Sequence, residues 1–110
     1  MSDLEAAFDT LWRQLAGPPL VTEHRFAPPR RWRFDRAHLP AHVAIEIDGG
    51  THNGGRHVTG DGFTRDCEKF NRAAFDGWLV FRLTSDMLRN DPAEHLRQII
   101  AKIEELLDDR

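Results

Sequence analysis

Residues 42–48, His-Val-Ala-Ile-Glu-Ile-Asp, alternate with a period of two and stop at Gly49-Gly50. A strand of this pattern sets Val43, Ile45 and Ile47 on one face and His42, Ala44, Glu46 and Asp48 on the other. The apolar face must be buried. On the opposite face, the spacing of two brings the Glu46 and Asp48 carboxylates side by side, where each disfavours ionisation of the other. On an antiparallel sheet open to solvent, such residues are ordinary surface polarity. On a strand covered by helices they need a cation between them, and a hard divalent ion with oxygen ligands, Mg²⁺, meets that need.

The neighbouring periodicities supply the helices. Leu4, Phe8, Leu11 and Leu15 recur at helical spacing behind a Ser2/Glu5 capping box, and Gly17-Pro18-Pro19 ends that helix. Residues 20–26 form a strand that turns at Pro28-Pro29. In the next strand, 31–36, Trp32 and Phe34 oppose Arg31, Arg33 and Asp35, so pairing with 42–48 would bring Asp35 to the acidic pair. A glycine-rich loop leads to a helix over 64–76, with Cys67, Phe70 and Ala74 as its buried stripe. Gly77 ends it, and WLVFRL (78–83) is the last strand. Asp91-Pro92-Ala93-Glu94 opens a final helix, Asp91 capping it, with core positions Leu96, Ile99, Ile100, Ile103 and Leu107. The order is αβββαβα, an α/β fold with a mixed sheet flanked by helices, and residues 1–110 are expected to form a single domain.

The 40% of hydrophobic residues suffices for a core, and no apolar run is long enough to span a bilayer. The acidic start lacks the basic and apolar segments of a secretory signal. One cysteine excludes an internal disulfide framework or a cysteine-rich zinc module and fits a reducing cytoplasm, the expected location. A net charge of −3 argues against nucleic acid as a partner until its distribution is considered. Arg25, Arg30, Arg31, Arg33 and Arg36 against Asp35 give residues 25–36 a local balance of +4, while Glu104, Glu105, Asp108 and Asp109 crowd the tail. One face can therefore hold an anion within an acidic chain.

Phe34-Asp35 followed by AIEIDGG (44–50) resembles the acidic core of the PD-(D/E)XK nuclease superfamily. The stretch GGRHVTGDGFTRDCEKFNRAAFDGWLVFRLT (54–84) is similar to small phage and prophage proteins related to very-short-patch-repair-like endonucleases. In these an E-x-(D/E)-G-G strand precedes a GGRH loop, a D-C-E-K-(Y/F)-N helix and a G-W-x-V-x-R strand. The likeness covers roughly residues 31–86, and its restriction-endonuclease-like core agrees with the element order read from periodicity. It implies a metal-dependent DNA endonuclease of phage or prophage origin, with Asp35 and Glu46 as metal-binding acids. Asp48, their neighbour on the strand, is expected to join them. Asp48 also stands where the superfamily has the lysine of E-x-K. Lys69, in the DCEK segment, is expected to supply that ammonium from the following helix.

Phosphodiester hydrolysis with Mg²⁺, or Mn²⁺ in its place, follows from this set: Asp35, Glu46 and Asp48 hold the ion and Lys69 adds positive charge. Arg31, Arg33 and Arg56 are the candidate phosphate contacts. Glu5 matches a first-helix acid that sometimes joins such a site, although capping accounts for it equally well. His52 and His57 stand either beside the metal as proton carriers, as in very-short-patch-repair-like enzymes, or in a solvated loop. A zinc site is not expected in this loop, since only Cys67 is available to join the two histidines. Cys67, Trp12, Trp32 and Trp78 read as core. Arg82, inside an apolar strand, calls for a carboxylate partner or an edge position. Two alternatives stay open: a nuclease selective for branched DNA, resembling Holliday-junction resolvases and acting as a homodimer, and a non-catalytic DNA-binding protein that retains the fold.

Overall fold

The computed structural model describes residues 2–48 and 60–109. Helix α1 (Asp3–Gln14) begins at Ser2, whose Oγ accepts the Glu5 N–H at 3.1 Å. Leaving the helix, the chain doubles back tightly: Ala16 is left-handed, and the Gly17 N–H donates to the Trp12 carbonyl. A Cβ at residue 17 would lie 2.4 Å from the Trp12 ring, so only glycine fits this approach. The buried Trp12 indole donates to the Pro18 carbonyl at 2.8 Å, which satisfies its polar edge.

Strands β1 (Val21–Arg25), β2 (Arg33–His38), β3 (Val43–Asp48) and β4 (Leu79–Thr84) form one sheet in the order β1-β2-β3-β4. The first three run antiparallel to their neighbours, whereas β3 and β4 are parallel. That parallel pair is joined through α2 (Gly60–Phe75), and α3 (Ser85–Arg89) and α4 (Pro92–Asp108) complete the chain. The architecture is a mixed sheet flanked by helices, as the periodicities predict. The short α3 is an addition, started by Thr84, whose Oγ accepts the Met87 N–H. Among the described residues, no helix is long and apolar enough to cross a membrane.

Both faces of the sheet are covered. Val43 and Ile45 pack with Phe8, Trp12, Leu83, Leu96, Ile99 and Ile103 on the side of α1 and α4. Phe34, Ala37 and Ala44 pack with Ala73 of α2, joined by Phe26, Trp78 and Val80. The acids of β3 therefore lie on a helix-covered face, where polar groups need partners.

Several expectations change on this frame. On α2 the buried residue is Ala73; Cys67 and Ala74 are exposed and Phe70 half-buried. The sheet below is already filled by Phe34 and Trp78, so the helix seats on its small residue and turns the Cys67 stripe outward. Cys67 is thus not a core residue. Asp91 adopts a left-handed conformation and makes no side-chain capping bond. Leu106, not Leu107, packs on the α4 core, and Leu107 is exposed. Strand β2 lies two residues later than expected, and its alternation fails. Phe34 and Ala37, three apart, share one apolar cluster, while Arg36 reaches the opposite face.

Candidate active site

The irregular turn of β2 falls at Asp35. The β2–β3 ladder pairs His38 with Val43, Ala37 with Ala44 and Arg36 with Ile45. One residue further the same register sets Asp35 opposite Glu46, and there side chains replace the backbone ladder. The Asp35 N–H donates to Glu46 Oε2 at 3.0 Å, and the Ile47 N–H donates to Asp35 Oδ2 at 2.7 Å. Each carboxylate is thereby fixed by the main chain of the facing strand, a charge-assisted arrangement that sets its position closely.

Lys69 comes to this pair from α2, where it shares the inner side of the helix with Ala73. Its Nζ lies 2.5 Å from Glu46 Oε1. Glu46 is only 6% exposed. Burial raises its pKa above the ordinary value, the Lys69 ammonium and the Asp35 N–H work against that rise, and the Asp35 charge adds to it. Asp35 is raised likewise: burial dominates, Glu5 contributes, and the Ile47 N–H, Lys69 and Arg36 oppose. Two carboxylates held close in a half-dry position disfavour each other's ionisation, and the Lys69 ammonium offsets part of that cost.

Asp48 is placed differently. Its Oδ2 accepts from Arg82 Nε at 2.8 Å, and the Arg82 guanidinium also lies over the Phe70 ring. Arg82 is exposed, so the partner its position called for is a surface one. The three acids expected to share one ion are not gathered: among the described residues, no group of three or more His, Cys, Asp or Glu side chains is assembled for a metal. Asp35 and Glu46 remain as two hard oxygen donors, a set that fits Mg²⁺ or Mn²⁺ with water completing the shell. Asp48 would join only by exchanging Arg82 for the ion.

Glu5 accepts from the Ser2 hydroxyl at 3.4 Å through Oε2, and its Oε1 reaches Arg36, 3.0 Å from Nη1. Arg36 is the residue that sequence reasoning missed. It is 2% exposed, grips Asp9 through Nε and Nη2 at 2.9 and 2.8 Å, and donates to the Asp35 carbonyl at 2.7 Å. The bond to Asp9, ahead of the burial that opposes it, keeps its pKa above the usual arginine range. The signal was present in α1: Glu5 and Asp9, one turn apart, are like charges that destabilise a helix unless a cation bridges them. Of the expected phosphate contacts, Arg33 pairs with Glu23 at 3.5 Å and Arg31 is exposed before β2. Arg56, His52 and His57 lie outside the described residues.

The same architecture exists elsewhere. The catalytic domain of the homing endonuclease I-Bth0305I superposes with a TM-score of 0.68 over 96% of this chain and 98% of that one, at 17% sequence identity. This chain has the fold of that catalytic domain. No family model matches the sequence, and no curated protein matches it.

Proposed function

We propose that the protein is a metal-dependent DNA endonuclease whose working groups are Asp35, Glu46 and Lys69. The observation that carries this reading is the facing Asp35–Glu46 pair, fixed where the β2–β3 ladder opens and met by Lys69. A structural ion pair alone would require one acid for one base. Here a second, half-buried carboxylate, its pKa also raised, stands beside the first. The likeness to a homing-endonuclease catalytic domain supports phosphodiesters of DNA as the substrate class.

Asp35 and Glu46 would hold Mg²⁺, or Mn²⁺ in its place. Bound there, such an ion acidifies a water and stabilises charge on the phosphate oxygens. The chain's own residues do the rest. Main-chain N–H groups of Asp35 and Ile47 fix the two carboxylates before substrate arrives, so little reorganisation is left for the reaction. Lys69 places a positive charge at the same point, where negative charge grows on the phosphoryl group. Arg82 holds Asp48 beside the site. Hydrolysis adds water across one P–O bond: the water oxygen joins phosphorus, and the departing bridging oxygen leaves as an alcohol after taking a proton. The PD-(D/E)XK relationship suggested by Asp35 and AIEIDGG belongs to this same proposal, with Lys69 in place of the strand lysine.

The test is a cleavage panel of supercoiled plasmid, linear duplex, single strand and four-way junction. Cutting of at least one substrate with Mg²⁺ or Mn²⁺, lost on chelation, is expected, and the preferred substrate decides between linear and branched DNA. Binding without cutting under either metal would leave the non-catalytic alternative in its place.

A further inference from the structure

The hairpin of β1 and β2 carries positive charge that the site chemistry does not use. Strand pairing sets Arg25 directly opposite Arg33. Like charges at facing positions cost stability unless an anion lies near them. Arg30 and Arg31 follow the Pro28-Pro29 turn and, like Arg25, are exposed. Among the described residues, none of Arg25, Arg30 and Arg31 forms an ion pair, and Glu23 of β1 is taken by Arg33.

Arg30 is held in place. Its guanidinium lies 3.8 Å from the centre of the Trp32 ring. Trp32 stacks on Phe26 at 6.4 Å, and Phe26 stacks on Phe34 at 4.0 Å. Phe34 is fully buried against α2. A ladder of rings thus runs from the core to the hairpin tip and ends on a guanidinium. Stacking occupies the face of that group and leaves its N–H edge for acceptors, and a planar fork suits phosphate oxygens. An arginine meant only for solvation needs no such support.

We propose that the tip of this hairpin, Arg30 and Arg31 with Arg25 at its neck, grips phosphates of duplex DNA beside the bond cut at Asp35 and Glu46. The proposal rests on the nuclease reading and extends it to substrate positioning. The chain runs from the tip into β2 and so to Asp35. At about 3.3 Å per residue, Trp32 and Asp35 are separated by about 10 Å. That distance corresponds to about three phosphates of one strand along the duplex axis. The hairpin therefore holds the flank of the substrate while the β2–β3 opening meets the bond to be cut. Arg36 takes no part, since its charge is spent inside the protein on Asp9 and Glu5.

The experiment measures affinity of the full chain for a fluorescein-labelled duplex across a salt series, in chelator so that no cutting intervenes. Arg30→Ala/Arg31→Ala is compared with wild type and with Arg13→Ala/Arg97→Ala, which removes equal charge from α1 and α4. The hairpin variant is expected to bind about tenfold or more weakly at 0.1 M salt, with its log–log salt slope smaller by about 2. The control variant keeps the wild-type slope. Circular dichroism and thermal melts confirm that all three are folded. A wild type that cuts DNA while the hairpin variant retains affinity and slope overturns the hairpin assignment and leaves the nuclease standing. A wild type that neither binds nor cuts DNA removes both.

Discussion

Lys69 on α2 and Glu46 on β3, separated by 23 positions in the chain, meet as an ion pair at the point where the β2–β3 ladder gives way to side chains. An ammonium at this place lowers the cost of ionising a buried carboxylate and, in the proposed reaction, would face the charge that hydrolysis creates.

Replacing Lys69 separates those two effects. Lys69→Ala is expected to lower kcat about a hundredfold, in line with the loss of one positive group aimed at transition-state charge. KM changes less. Without the ammonium, the Glu46 pKa rises further, so the acidic limb of the pH–rate profile moves to higher pH. Lys69→Arg restores part of the rate. A steady-state pH series of the three proteins checks this, and an unchanged rate and profile for Lys69→Ala would assign the lysine to the surface.

Arg36 ties α1 to the strand that bears Asp35. Arg36→Met leaves Asp9 and Glu5 facing each other without a cation, at a cost of about 2–3 kcal/mol. That lies below the figure for a wholly buried pair because both acids keep some contact with water. Arg36→Lys keeps the charge but loses the two-pronged grip on Asp9, so its loss is intermediate. Urea unfolding of the three proteins gives the order wild type, Arg36→Lys, Arg36→Met in falling midpoint.

Asp35 and Glu46 oppose stability at neutral pH. Both bind protons more tightly in the folded chain than in the unfolded one. Their contribution is fully present below the unfolded values, about 4, and is lost as pH rises through the folded values. Asp35→Asn keeps an oxygen for the Ile47 N–H and removes the charge. Its melting temperature in metal-free buffer at pH 7 is expected a few degrees above wild type, with the difference closing near pH 3.5. Differential scanning calorimetry at the two pH values measures it.

Much of the frame was legible because it is local. The alternation of Val43, Ile45 and Ile47 marks the face of β3 that packs toward α1 and α4, and the Ser2/Glu5 pattern marks the start of α1. Lys69 could be picked out only through the resemblance of its segment. Where several elements share one space, local pattern fails. Cys67, Phe70 and Ala74 are as periodic as a buried stripe, yet Phe34 and Trp78 already fill the sheet beneath α2, and Ala73 takes the contact. Arg36 sits in an alternating run, but its partners Asp9 and Glu5 lie 27 and 31 positions away. Asp48 looked equivalent to Glu46 by spacing, and its placement follows from Arg82 on the adjacent strand.

Single-turnover cleavage of the preferred DNA with saturating Mg²⁺ decides whether the facing carboxylates do the chemistry. Asp35→Asn and Glu46→Gln are compared with wild type, with duplex binding measured on the same samples. Both variants are expected to bind DNA within a few-fold of wild type while cutting at least about a thousandfold more slowly. Cutting by either folded variant at the wild-type rate would contradict the assignment of the active site to Asp35 and Glu46.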